Sequence, residues 1–198
     1  MSWKSIAAVV LGVVAGIATA VMILAPDDRP APIKTTGSPL IGGPFALVDP
    51  TGKRVTNKDF AGRPMVVFFG FTNCPDVCPS GLQVLGAALD KAGDKAKSVA
   101  PLFITVDPER DTVEKMGPYV KSFHPSIIGL TGTPDEVAAA VKVYRVYALK
   151  VPNKDDPNRY NVDHSSFFYL MDSHGNYVKH FPHTTDVDTL AQAIAALT

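Results

Sequence analysis

Apolar residues along the chain fall into short runs separated by polar turns, and these runs predict alternating strands and helices. The apolar runs at residues 65–70 and 101–106 are typical of central strands that are buried on both faces. Leucine and alanine recur at helical spacing over residues 80–91, which predicts a helix with one buried face. The remaining predicted elements are a hairpin at residues 45–56, strands at 127–130, 167–171 and 177–180, and helices at 112–123, 134–144 and 187–197.

The order of these elements predicts an α/β fold. Strands alternate with helices from about residue 43, and the chain closes with a hairpin and a helix. This is the order of a thioredoxin-like sandwich, in which helices pack on a central mixed sheet. The sequence therefore predicts one thioredoxin-like domain over residues 43–198.

The N-terminal region carries an uninterrupted apolar stretch at residues 6–25. About 20 such residues span a bilayer core as a helix, so the stretch predicts a transmembrane anchor. Lys4 lies before it, and positive charge on that flank favours a cytoplasmic location for residues 1–5. A cleaved signal peptide is the alternative, since residues 18–20 (Ala-Thr-Ala) resemble a cleavage site. We favour the anchor because residues 21–24 remain apolar beyond that point.

Residues 26–42 have the composition of a linker between membrane and domain, with many prolines and small polar residues. A single-pass topology would place the domain outside the inner (cytoplasmic) membrane, in the periplasm or an equivalent exported compartment. The length of 198 residues suits one domain plus this appendage. The net charge of +0 at pH 7 gives no reason to expect nucleic acid as a partner.

The two cysteines of the chain, Cys74 and Cys78, form a C-x-x-x-C pair directly after the strand predicted at residues 65–70. Residues i and i+4 share a helix face, so the two Cα atoms would lie about 6 Å apart, within disulfide range. The start of a helix also favours the Cys78 thiolate. The pair can close a disulfide, which an exported compartment favours, or bind a soft metal. A purely structural disulfide is disfavoured, because so small a loop removes little chain entropy.

Two thiolates need a further ligand to make a metal site, and His164 is the histidine best placed to supply it. It ends a predicted loop at residues 160–164, which would lie opposite the cysteines in a thioredoxin topology. Thioredoxins usually carry a proline in this loop, but this chain has none between residues 158 and 181. Two thiolates and one imidazole match the preference of Cu(I) for soft ligands and fall short of the four ligands of structural zinc.

Other polar clusters are predicted to be structural. His180 and His183 are interpreted as surface histidines near the end of a strand, not as a second metal site. In the acidic segment at residues 107–111, Asp107 precedes a proline and turns the chain. Asp111 is predicted to cap the helix that follows.

Several separate motifs, in the same order along the chain, resemble those of the Sco/SenC family of copper-binding proteins. The motifs are GFTNCPDVCP at residues 70–79, FITVDPERD at 103–111, GLTGT at 129–133, YRVY at 144–147, VDHSS at 162–166 and YLMD at 169–172. The resemblance runs from about residue 43 to the C-terminus. It implies a membrane-anchored, thioredoxin-like domain that holds one copper ion, as Cu(I) or Cu(II). The family's ligands map onto Cys74, Cys78 and His164.

Members of the Sco/SenC family are linked to the assembly of cytochrome c oxidase. The resemblance implies a copper chaperone, not an enzyme in the strict sense, that delivers copper to the binuclear copper site of oxidase subunit II. Such a protein would receive its copper from a donor protein. The alternative is a thiol–disulfide oxidoreductase that uses Cys74 and Cys78 to reduce the cysteines of that site, although its usual motif is C-x-x-C. Peroxide reduction on a peroxiredoxin-like scaffold is a third and less favoured hypothesis.

Overall fold

A five-stranded mixed sheet forms the centre of the domain. The computed structural model describes residues 40–154, 156 and 159–198. The predicted transmembrane segment at residues 6–25 and most of the predicted linker lie outside the described residues. In the part of the chain that is described, no helix is long and apolar enough to cross a membrane.

Nine strands and four α-helices make up the described part of the chain, together with two short 3₁₀ helices at Asn57–Phe60 and Gly93–Ser98. The strands are β1 (Ala46–Val48), β2 (Arg54–Thr56), β3 (Met65–Gly70), β4 (Ala100–Thr105), β5 (Ile128–Leu130), β6 (Ala148–Pro152), β7 (Tyr160–His164), β8 (Phe167–Met171) and β9 (Tyr177–Pro182). The helices are α1 (Val77–Ala92), α2 (Val113–Lys121), α3 (Pro134–Val143) and α4 (Val187–Ala195).

The central sheet has the strand order β5-β4-β3-β8-β9. Strands β3, β4 and β5 are parallel, whereas β8 and β9 are antiparallel to their neighbours. Every residue of β3 and β4 is buried, as expected for strands that are covered on both faces. This arrangement confirms the predicted thioredoxin-like α/β sandwich with a central mixed sheet.

Alternate residues of β3 point into two separate cores, one on each face of the sheet. Phe69 belongs to the core that the β1–β2 hairpin and α3 cover, and Phe68 belongs to the core covered by α1, α2 and α4. In the register of β3 with β4, Gly70 lies beside Thr105. The loops that follow these two strands therefore leave the sheet side by side, which brings the cysteine segment next to the acidic segment.

The predicted helices are all present, and side-chain caps mark the starts of α3 and α4. Thr133 accepts a hydrogen bond from the Glu136 amide and is the N-cap of α3. The prediction that Asp111 caps a helix was wrong: α2 begins at Val113, after Thr112. The Asp111 carboxylate is instead buried.

The predicted loop at residues 160–164 is in fact a strand. Strand β7 pairs antiparallel with β6, and Ala148 lies opposite His164 in this hairpin. The hairpin forms a two-stranded sheet of its own, and most of its residues are exposed or half-buried. It therefore lacks the regular alternation of buried residues by which a strand is recognised in sequence.

Candidate metal centre

The two cysteines lie where β3 passes into α1. Cys74 is in the connecting loop and is half-buried, whereas Cys78 is the second residue of α1 and is fully buried. Neither cysteine is in a disulfide. The backbone N–H of Cys78 donates to the Sγ atom of Cys74 at 3.3 Å. The first turn of α1 therefore directs an unpaired helix N–H at the Cys74 sulfur, which stabilises negative charge there.

Gly70 makes room for the buried sulfur. A Cβ atom added at Gly70 would lie 2.7 Å from the Sγ atom of Cys78 and 2.7 Å from the Phe103 ring. Contacts this short are not tolerated, so a residue with a side chain cannot stand here unless Cys78 or Phe103 moves. In the sequence, the signal for this close packing was that Gly70 ends a strand of otherwise large apolar residues.

His164 is the last residue of β7 and reaches the cysteines from the opposite side. Its Nε2 atom lies 3.4 Å from the Sγ atom of Cys78, and its Nδ1 atom lies 3.0 Å from the backbone oxygen of Ser165. A carbonyl oxygen can only accept, so Nδ1 carries the proton and Nε2 presents its lone pair to the sulfur. The imidazole also packs edge-on to the Phe71 ring, with centroids 5.8 Å apart.

The structure brings the three predicted ligands together. One sulfur or nitrogen atom from each of Cys74, Cys78 and His164 lies within 4.8 Å of the other two. Two thiolates bound to one ion with bonds of about 2.3 Å lie about 4 Å apart, so the spacing suits a single metal ion. Within the described ranges this is the one group of at least three His, Cys, Asp or Glu residues with such geometry.

The two thiols differ in acidity. The hydrogen bond from the Cys78 thiol lowers the pKa of Cys74 to about 4. That same hydrogen bond, together with burial, raises the pKa of Cys78. The prediction that the helix favours the Cys78 thiolate was therefore wrong: Cys74 is the thiolate, because Cys78 is buried and its N–H points at the other sulfur.

The remaining sequence candidates take other roles. His180 packs against the rings of Phe167 and Tyr169, and its Nδ1 atom lies 2.5 Å from the Tyr177 hydroxyl. Neither His180 nor His183 belongs to the group formed by Cys74, Cys78 and His164. Cys74 and His164 line a cleft of about 280 Å³, together with Phe71, Asp76, Val77 and Asp163. A metal at this position would therefore be accessible to a partner.

A buried carboxylate that was not predicted to act at the site supports the cysteine loop. Asp111 accepts hydrogen bonds from the Thr72 amide at 3.0 Å, the Thr72 hydroxyl at 2.6 Å and the Thr105 hydroxyl at 2.7 Å. Thr72 lies two residues before Cys74, so these bonds tie the loop to the end of β4. The sequence signal for this role was the pair of aspartates, Asp107 and Asp111, in the segment after a buried strand. The sequence alone does not show which groups they contact.

Comparison with known proteins identifies the family to which the chain belongs. The model of the SCO1/SenC family matches residues 33–198 of this chain. The chain belongs to the SCO1/SenC family. A similar SCO1/SenC relative is "Protein SCO1 homolog 1, mitochondrial" from Arabidopsis thaliana, 47% identical over 161 residues, which are 81% of this chain and 48% of the relative. The chain spans between 48% and 63% of the length of three curated relatives that it matches.

Solved structures of SCO1/SenC proteins share the fold. Arabidopsis thaliana ScoI with copper bound superposes with a TM-score of 0.73 at 47% identity, covering 79% of this chain and 97% of that one. Bradyrhizobium japonicum ScoI with copper bound gives a TM-score of 0.74 at 44% identity, covering 80% of this chain and 99% of that one. Both of those proteins were solved with copper.

Proposed function

We propose that this SCO1/SenC protein is a copper chaperone that carries one copper ion on Cys74, Cys78 and His164. The observation that supports this most directly is the convergence of three soft or borderline ligand atoms within 4.8 Å of one another. The copper-bound relatives, at 44% identity or more, support copper as the metal. The proposed recipient is the binuclear copper site of cytochrome c oxidase subunit II, as the family resemblance implies.

The chemistry of the donor set suits a metal that is held and then released. Cys74 offers a thiolate, His164 offers an Nε2 lone pair fixed by the Ser165 carbonyl, and Cys78 must lose its proton when copper binds. Two thiolates and one imidazole give the low coordination number that Cu(I) accepts. The open cleft leaves one side of the ion free. The ligands of a recipient protein can therefore replace Cys74, Cys78 and His164 one at a time.

Membrane anchoring is part of the proposal. Residues 6–25 would span the inner membrane once, residues 26–42 would act as a tether, and residues 43–198 would work in the periplasm or an equivalent compartment. This topology would hold the domain beside a membrane-embedded oxidase. A copper donor protein in the same compartment would load the site.

The test is a Cu(I) titration of the reduced full-length chain in detergent, without oxygen and against a competing chelator. We expect one copper per chain, and we expect His164→Ala to weaken binding at least about tenfold, as for loss of a group that fixes a metal site. His183→Ala is the matched control, because His183 lies outside the ligand group, and it should bind like the wild type. Full affinity in His164→Ala would refute the proposed site.

A second function, thiol–disulfide exchange, is supported by the unequal exposure of the two thiols. Half-buried Cys74 would attack a disulfide of the target, releasing one target thiolate and forming a mixed disulfide. Cys78, after losing its proton, would then attack the Cys74 sulfur and release the second target thiolate. The target gains two electrons and the Cys74–Cys78 pair becomes a disulfide. This activity would not require His164, which separates it from copper binding.

A further inference from the structure

The hairpin that carries His164 needs an external support. Strands β6 and β7 form an isolated two-stranded sheet with few buried residues. Such a hairpin is only marginally stable on its own in water, so contacts with the rest of the domain must fix its position. Val162 provides one buried apolar contact. Polar support comes from the segment between β4 and α2.

Arg110, in that segment, binds the first residue of β7. Its Nη1 atom donates to the backbone oxygen of Tyr160 at 3.0 Å, and its guanidinium carbon lies 3.8 Å from the centre of the Tyr160 ring. Its Nε atom donates to the carboxylate of Asp107, which is fully buried. The same carboxylate accepts from the Tyr160 hydroxyl at 2.7 Å. Asp107, Arg110 and Tyr160 therefore form a closed set of contacts, called here the Arg110 clamp.

The Arg110 clamp also touches the metal centre. The guanidinium carbon of Arg110 lies 5.6 Å from the centre of the Phe71 ring, and Phe71 packs edge-on to His164. Tyr160 and His164 are four residues apart on β7, so their side chains lie on the same face of that strand. One guanidinium thus joins an aromatic ring of the cysteine loop to the strand that ends in the histidine.

We propose that Arg110 is a positioning residue that holds hairpin β6–β7 against the domain, so that His164 Nε2 faces the cysteine sulfurs before copper binds. The inference rests on the proposed role of His164 as a copper ligand. A hairpin without this support would have to be ordered as copper binds, and the lost conformational freedom would weaken binding. Arg110 itself donates nothing to the metal.

The test is a double-mutant cycle on Cu(I) affinity in the reduced full-length chain, combining Arg110→Met with His164→Ala. Arg110→Met should weaken Cu(I) binding about tenfold when His164 is present, as for residues that orient a metal ligand. It should change the affinity little when His164 is already absent. Equal weakening in both backgrounds would overturn the positioning role. If His164→Ala alone leaves the affinity unchanged, it is the proposed metal centre that fails.

Two further variants sharpen the cycle. Glu109→Gln removes the exposed ion pair between Glu109 and Lys150 of the hairpin, whose charged atoms lie 2.7 Å apart. This variant should leave Cu(I) affinity within about twofold of the wild type. Tyr160→Phe keeps the ring and the backbone acceptor but removes the hydrogen bond to Asp107. It should weaken binding in the same direction as Arg110→Met but less, and it tests the clamp even if Arg110→Met does not fold.

A measurement without copper tests the clamp directly. Amide hydrogen exchange should be faster throughout β7 in Arg110→Met than in the wild type, while exchange in the central strand β3 stays slow. Glu109→Gln should exchange like the wild type. Unchanged exchange of β7 in a folded Arg110→Met protein would overturn the inference, since the hairpin would then be held by other contacts.

Discussion

The Nε2 atom of His164 lies 3.4 Å from the Sγ atom of Cys78, although the two residues are 86 positions apart in the chain. Because Nδ1 of the imidazole donates to the Ser165 carbonyl, Nε2 of the neutral ring carries no proton and presents its lone pair towards the Cys78 sulfur. The Cys74 sulfur accepts from the Cys78 amide and is a thiolate. Among the three ligand atoms, only the Cys78 sulfur therefore carries a proton.

This proton count predicts the pH dependence of copper binding. The pKa of Cys74 lies near 4, so at pH 7 its thiolate is already formed, and the raised pKa of Cys78 keeps that thiol protonated. Cu(I) binding should therefore release about one proton per ion, and affinity should rise about tenfold per pH unit around neutrality. Calorimetric titrations in buffers with different protonation enthalpies measure the number released. Release of two protons would show that both sulfurs are thiols at rest.

Gly70→Ala should damage the metal centre through packing. The new Cβ atom would stand 2.7 Å from the Cys78 sulfur, and overpacking of a buried site costs about 1–3 kcal/mol in the free energy of unfolding. Relief of this contact requires the sulfur to move away from its partners. We therefore expect lower stability in chemical denaturation together with weaker Cu(I) binding.

Gly129→Ala is the matched control for that substitution. Gly129 lies in β5, and an added Cβ atom would meet Met116 at 3.2–3.3 Å, with neither cysteine among its close neighbours. It should lower the free energy of unfolding but leave Cu(I) affinity at the wild-type value. If Gly70→Ala lost stability without losing affinity, the fit between Gly70 and Cys78 would not matter for the site.

Asp111 should make stability fall as pH rises through the acid range. Burial raises the pKa of its carboxyl above the ordinary value of 3.8, against the opposing effect of its hydrogen bonds. A raised pKa in the folded state means that the folded protein holds this proton more tightly than the unfolded chain. The resulting stabilisation is present below about pH 4 and is lost as pH rises through the folded-state pKa. Relative to the wild type, Asp111→Asn should therefore gain stability as pH increases.

Asp186 provides a control with the opposite sign. Hydrogen bonds from Thr189 lower the pKa of this helix-capping carboxyl, so its contribution to stability appears as pH rises above the folded-state value. Relative to the wild type, Asp186→Asn should lose stability as pH increases. Denaturant unfolding of both variants between about pH 3 and 7 measures the two slopes. Slopes of the same sign would contradict the assignment for Asp111.

The spacing of apolar residues along the chain was enough to predict the central strands and helices of the fold. Strand β3 was predicted with its observed ends, because every residue of it is buried and apolar. The hairpin β6–β7 was missed, because its residues are mainly exposed and its position depends on contacts with Arg110, far away in sequence. A pattern of buried residues cannot predict an element that is held mostly by polar contacts at its ends.

The positions of the candidate ligands were predicted more completely than those of the residues around them. Cys74, Cys78 and His164 were identified from residue type, from their place in a thioredoxin topology and from family resemblance, and the structure places their ligand atoms together. The acidity of the two thiols was assigned the wrong way round. Helix position alone favours Cys78, but burial of that sulfur reverses the order, and burial depends on Gly70 and the core around it.

Single cysteine substitutions separate attack from resolution in thiol–disulfide exchange. Cys78→Ser keeps the half-buried Cys74 thiolate but removes the resolving thiol, so it should accumulate a mixed disulfide with a small disulfide substrate. Cys74→Ser leaves only the buried thiol of raised pKa and should form much less adduct in the same time. Mass spectrometry of the protein after timed exposure measures both adducts. Equal trapping by the two variants would mean that the thiols are equally reactive, and the asymmetry seen in the site would then have no role in exchange chemistry.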